Sequence, residues 1–140
     1  MEDWKRLISR GNRCFERGDM ASACTVYQDA LFIAEQRLPT WPDADAAIAA
    51  FVVSHHNLAD LYVRLDCLED AAYHLQAAHA HLMWVMSDEA CSVELRQAAL
   101  RQSHHTQAER LAFASTHSGR VAPLCGLHAF TDSAALPPMH

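Results

Sequence analysis

Between Ser54 and Leu82 the apolar positions fall at helical spacing twice, on either side of a short break around Asp66. That pattern predicts two antiparallel helices. Ala59 and Ala71 place small side chains on the facing sides, so the backbones can approach, while Tyr62 and Leu75 fill the space above them. The same order of positions occurs 48 residues earlier, with Gly11 for Ala59, Cys14 for Tyr62, Gly18 for Asp66, Ala23 for Ala71, Tyr27 for Leu75, Ala30 for Ala78 and Ala34 for Leu82. A first hairpin therefore precedes the second in one register.

Breakers and caps divide the rest. The first helix is predicted over Glu2 to Arg17, burying Trp4, Leu7, Ile8, Gly11, Cys14 and Phe15, and Gly18 ends it in a left-handed conformation. Asp19 caps the second, Met20 to Arg37. Pro39 and Pro42 interrupt the chain, and Asp43 caps a third helix, Ala44 to Leu65. Its first half, Ala44 to Val53, is apolar nearly all round and needs cover on more than one side from the fifth helix, the tail or a second copy. The fourth helix is predicted over Leu68 to Met86, and a fifth starts between Ser87 and Ser92 and ends near His117. The fifth helix's polar middle, Arg101 to Gln107, suits the end of a stack, where one side faces water. The tail, 119–140, has too many prolines and glycines for a long helix but carries Val121, Leu124, Leu127, Phe130 and Leu136. Docking onto an apolar surface and a frayed terminus are both open for it.

The sequence of small, large, turn, small, aromatic or leucine, small resembles the tetratricopeptide repeat, whose period is about 34 residues. Gly11, Gly18, Ala23, Tyr27 and Ala30 match the family pattern in the first copy, and Ala59, Tyr62, Ala71 and Ala78 in the second. The core Asn57-Leu58-Ala59-Asp60-Leu61-Tyr62 is similar to that of the longer kinesin-light-chain variant. The resemblance implies an all-α, right-handed stack of about five antiparallel helices: repeats at about 4–38 and 44–86, and a capping helix at about 88–117. It also implies a groove lined by the first helix of each repeat. Carried over by register, the groove candidates are Ile8, Asn12, Phe15, His56, Asn57, Asp60, Val63 and Arg64. Asn12 and Asn57 stand where carboxylate-clamping members of the family have asparagines, and a primary amide both donates to and accepts from a peptide backbone. Ile8 stands where those members have lysine. Bracing of neighbouring helices is the other reading of Asn57.

Composition narrows the function classes. At 140 residues and 51% hydrophobic, the chain supports one domain with a substantial core. A net charge of −6 lacks the positive field that binding to phosphates requires, so no nucleic-acid partner is expected. No apolar run of membrane-spanning length occurs, and none of the five cysteines forms a CxxC pair. Buried thiols in a reducing compartment, the cytoplasm, are the expected state of Cys14, Cys24 and Cys67.

Ten histidines raise a metal reading, with His55 beside His56, His104 beside His105, and the trio His74, His79 and His81. Adjacent residues on a helix point about 100° apart, unlike the i, i+4 pair of a zinc helix. His56 and His104 meet across the groove if both face it. The arginines at 6, 10, 13 and 17 form a stripe, read as a solvated face or a contact for an acidic partner. No nucleophile elbow, phosphate loop or paired-carboxylate site is present, and no cofactor is implied. The expected function is a non-catalytic module that binds a protein or peptide. Its rivals are self-association, as in a homodimer through the tail or residues 44–53, and metal binding through the histidines.

Overall fold

Helix boundaries follow the caps. The computed structural model describes residues 1–117, so the tail, its docking and Cys125 lie outside the described residues. Five helices run in order: α1 (Glu2–Glu16), α2 (Met20–Arg37), α3 (Ala44–Arg64), α4 (Leu68–Ser87) and α5 (Val93–Thr116), with a 3-10 turn at Leu38–Thr40. The carboxylates of Asp19 and Asp43 accept from the backbone N–H of Ser22 and Ala46, each at 3.2 Å, and the Ser92 hydroxyl accepts from that of Leu95 at 3.1 Å. Each satisfies an amide that the first turn leaves without a helical partner. Among the described residues no helix is long and apolar enough to cross a membrane.

The two hairpin turns are the same turn. Gly18 N–H donates to Phe15 and Asp19 N–H to Cys14; 48 residues on, Asp66 N–H donates to Val63 and Cys67 N–H to Tyr62, at 2.8 to 3.0 Å. This is the double-bonded helix end that requires a left-handed residue, and Gly18 (φ 81°) and Asp66 (φ 59°) supply it. Glycine adopts that conformation freely, and aspartate is one of few other residues that tolerate it.

Neighbouring helices are antiparallel, so α1, α3 and α5 run parallel along one wall. Trp4 Nε1 donates to Ser54 Oγ at 2.8 Å, joining the start of α1 to the middle of α3, and the Arg64 guanidinium lies 4.8 Å from the Phe15 ring centroid where both helices end. Arg101 pairs with Asp45 at 2.6 Å and the His56 and His105 rings are 5.4 Å apart, which sets α5 beside α3. The main core lies where α2, α3, α4 and α5 meet, around Ala34, Leu38, Ile48, Phe51, Leu82 and Leu95. The apolar start of α3 is thereby covered within the chain by α4, α5 and the end of α2. Of that start only Asp45 and Val53 are exposed. Cys14 is buried, while Cys24 and Cys67 are only half-buried, a departure from the expectation for those two thiols.

α1 meets α2 over Gly11. A Cβ there would lie 2.5 Å from Cε1 of Tyr27, whose ring is 3% exposed and whose hydroxyl donates to Asn12 Oδ1 at 2.6 Å. The ring is held at both ends and cannot step aside. In an open helix Gly→Ala gains about 1 kcal/mol. Here Gly11→Ala is expected instead to lose about 1–2 kcal/mol of net stability, since overpacking costs about 1–3 kcal/mol. A urea midpoint that rises on this substitution would contradict the close approach.

Candidate functional site

The parallel wall is not closed. Between α3 and α5 two recesses open on it, of about 520 Å³ and about 340 Å³, and they share His56. The first is lined by Val52, Val53, Asn57, Gln102 and His105 among others, the second by Asp60, Val63, Leu75, Glu109 and Phe113 among others. Small residues make the room: Ala49 at one recess, Ala59 and Ala112 at the other. The lining alternates apolar surface with amide, imidazole and carboxylate groups.

Of the eight residues expected in the groove, His56, Asn57, Asp60 and Val63 line these recesses together. Ile8 and Phe15 pack instead against the cluster of Cys14, Tyr27, Leu58 and Leu61, and Arg64 lies over Phe15. Asn12 already spends its amide oxygen on Tyr27. Nor does His56 meet His104: its ring lies 5.4 Å from that of His105, and both α5 histidines are exposed. The reason is the rotation of α5, which buries Ala99, Ser103 and Thr106 and so turns position 105, one step of about 100° from 104, toward α3. The α5 half of the cleft, Arg101, Gln102, His105, Glu109 and Phe113, was not expected from sequence. A signal for it existed, in that His56 and Asp60 on α3 recur as His105 and Glu109 on α5 at the same i, i+4 spacing.

Two carboxylates dominate the local field. Burial raises the pKa of Asp60, and the nearby negative charge of Glu109 raises it further. Burial also lowers that of His56, with His105 adding to the effect and Glu109 opposing it. Asp60 is close enough to Tyr27 to add to the rise that burial causes in the phenol. Among the described residues no group of three or more His, Cys, Asp or Glu side chains is placed to hold a metal ion.

The remaining described histidines belong largely to the interior. His55 and His74 approach Nδ1 to Nδ1 at 3.0 Å, so one ring donates and the other accepts, which requires opposite neutral tautomers. His74 also stacks on Tyr62, at 5.6 Å and 7°, and His81 lies against Phe51 and Trp84. Thr106 donates to the Ser103 carbonyl at 3.1 Å and accepts from His79 Nδ1 at 2.7 Å, joining α4 to α5. Burial pulls His74 and His81 down to about 4 and His55 well below its ordinary value. These groups are packed as neutral rings, which removes them from the groove and from any pairing with His56. On the outer face of α1, Asp3 accepts from Arg6 at 2.9 Å and from Arg37 at 3.3 Å, so the arginine stripe is partly ion-paired.

No curated protein and no solved structure matches this chain. Residues 2–125 match the family described as "Protein of unknown function (DUF2753)", which covers all five helices, and the chain belongs to that family.

Proposed function

We infer that this chain is a non-catalytic protein-interaction module of the tetratricopeptide kind, in which the α3–α5 cleft takes an extended segment of a partner protein. The observation that carries this reading is the cleft itself: two recesses joined at His56 and lined by side chains that the fold leaves largely uncommitted. Asn57 and Gln102 offer both donors and acceptors to a peptide backbone, and Val53, Val63 and Phe113 offer apolar contact. The module is assigned to the cytoplasm, which the odd number of cysteines supports.

A steric block tests it. Ala112 is exposed and lines the second recess, so Ala112→Trp fills the cleft without entering the core. Leu111 is 60% exposed and lines neither recess, which makes Leu111→Trp the control. Peptides selected from a random displayed library on the full 140-residue chain are expected to bind at least 10-fold more weakly to Ala112→Trp and equally well to Leu111→Trp. Melting temperature and helical signal should stay at the parent values in both. Equal binding to the two variants would remove the cleft as the binding surface.

A further inference from the structure

Asp60 and Glu109 are exposed carboxylates close enough for the charge of Glu109 to act on Asp60. Each stands one helical turn beyond a histidine of the cleft, His56 on α3 and His105 on α5, and both line the smaller recess. Neither carboxylate forms an ion pair or hydrogen bond with a described residue. The basic residue nearest in sequence to Asp60, Arg64, has its guanidinium over the Phe15 ring, and Arg110, next to Glu109, donates to Gln107 at 2.7 Å. Among the described residues the recess thus concentrates negative charge, and its lining includes no lysine or arginine. The two like charges repel, and burial together with the charge of Glu109 raises the pKa of Asp60. Both features would be relieved by a cation arriving from outside.

The rest of the lining narrows the shape of that cation. Val63, 37% exposed, and the half-buried ring of Phe113 form an apolar wall beside the carboxylates, with Ala59 and Leu75 beneath. A bare inorganic ion leaves that wall unused, and among the described residues no three His, Cys, Asp or Glu side chains are grouped to hold one. Nε2 of His56 is buried without a hydrogen-bond partner at the place where the two recesses join. An apolar stem that ends in a delocalised or compact positive group matches this arrangement. Methylenes then lie on Val63 and Phe113, and the head reaches both carboxylates by charge-assisted hydrogen bonds.

We propose that the recess between Asp60 and Glu109 is a specificity pocket for a lysine or arginine side chain of the partner's extended segment. The proposal rests on the interaction-module reading and adds to it the chemistry of the partner: a basic, not an acidic, peptide. A carboxylate-ended peptide, the ligand implied by the asparagine resemblance, meets two negative charges here and is repelled.

The test uses full-length protein and the peptides selected as above, sorted by whether Ala112→Trp weakens them. Those that it weakens are expected to carry Lys or Arg at one fixed position. Their affinity, read by fluorescence anisotropy, should fall at least 10-fold on Asp60→Asn with Glu109→Gln. Replacement of the peptide's basic residue by norleucine should cause a similar loss, with little further loss when combined with the protein double variant, because both remove the same contact. Glu94→Gln, an exposed carboxylate outside both recesses, controls for general attraction to an acidic protein and should leave affinity unchanged. Peptides that are blocked by Ala112→Trp yet lack a basic residue, or bind the Asp60→Asn/Glu109→Gln variant equally well, overturn the pocket while the cleft reading stands. If Ala112→Trp blocks no peptide, both fall together.

Discussion

Urea-unfolding free energy is expected to be steady above about pH 6.5 and to fall by several kcal/mol between pH 6.5 and about 4. His74 and His81 are the source: their ordinary value is 6.5, and burial holds both at about 4 in the folded chain. Between those values the unfolded chain binds protons that the folded chain refuses, so stability rises with pH across the window and is lost as pH falls through it. A shift of this size corresponds to roughly 3 kcal/mol per residue, an upper figure for a site that water reaches on opening. His55 acts in the same direction, since burial and the adjacent His74 push it down and the Nδ1–Nδ1 hydrogen bond fails once both rings are protonated. Asp60 acts oppositely, because its carboxyl is raised and it takes up a proton more readily folded than unfolded. Glu35, which burial also raises, acts with it, and the two raised carboxyls offset only part of five depressed imidazoles, His56 and His79 being lowered as well. His74→Asn together with His81→Asn should flatten the slope even if it lowers stability at neutral pH. A midpoint that stays constant from pH 7 to pH 4.5 would show that these rings are not held neutral by the core.

Local rules made the hairpins readable. Small residues at Gly11, Ala23, Ala59 and Ala71 and turn residues at Gly18 and Asp66 act over a few positions, and the structure uses them as spacing and capping chemistry require. The site was readable only on one side. The register of the tetratricopeptide resemblance placed His56, Asn57, Asp60 and Val63 on the groove side of α3. The opposing face comes from α5, where Arg101 to Gln107 is equally consistent with facing water or facing a cleft. Only packing decides between them, and Ser103 and Thr106, polar residues that α5 buries, set the rotation. Asn12 shows the same limit. Its amide looks free in sequence, but Tyr27 crosses Gly11 from the next helix and claims its oxygen. Histidine is the hardest residue to place, because it is neither strongly apolar nor reliably charged near neutral pH. His55 and His81 are core residues here, and adjacency in sequence carried no sign of that.

Phe51→Ala is expected to lower stability by about 3–5 kcal/mol, the range for truncation of a fully buried aromatic side chain. Phe51 is 0% exposed and belongs to the cluster with Ile48, Leu82, Val85, Leu95 and Ala98, where α3, α4 and α5 meet. Most of its neighbours are on helix backbones fixed by other contacts, so the space left behind cannot close by side-chain movement alone. The same ring covers two histidines, edge-on to His55 at 4.8 Å and tilted against His81 at 4.6 Å. Its loss therefore has a second effect, which a purely apolar neighbour would not produce. A cavity next to Nε2 of His55 and Nδ1 of His81, both buried without partners, admits water to groups able to bond it. Hydrated imidazoles regain part of their ordinary basicity, so the variant should be less stable at pH 7 yet lose less on acidification than the parent. Phe51→Leu retains most of the volume and should cost under about 1.5 kcal/mol with the parent slope largely kept. Urea titrations of both variants at pH 7 and pH 5 separate the two contributions. A slope unchanged in Phe51→Ala would mean that the polypeptide around α4, not this ring, keeps water from the histidines.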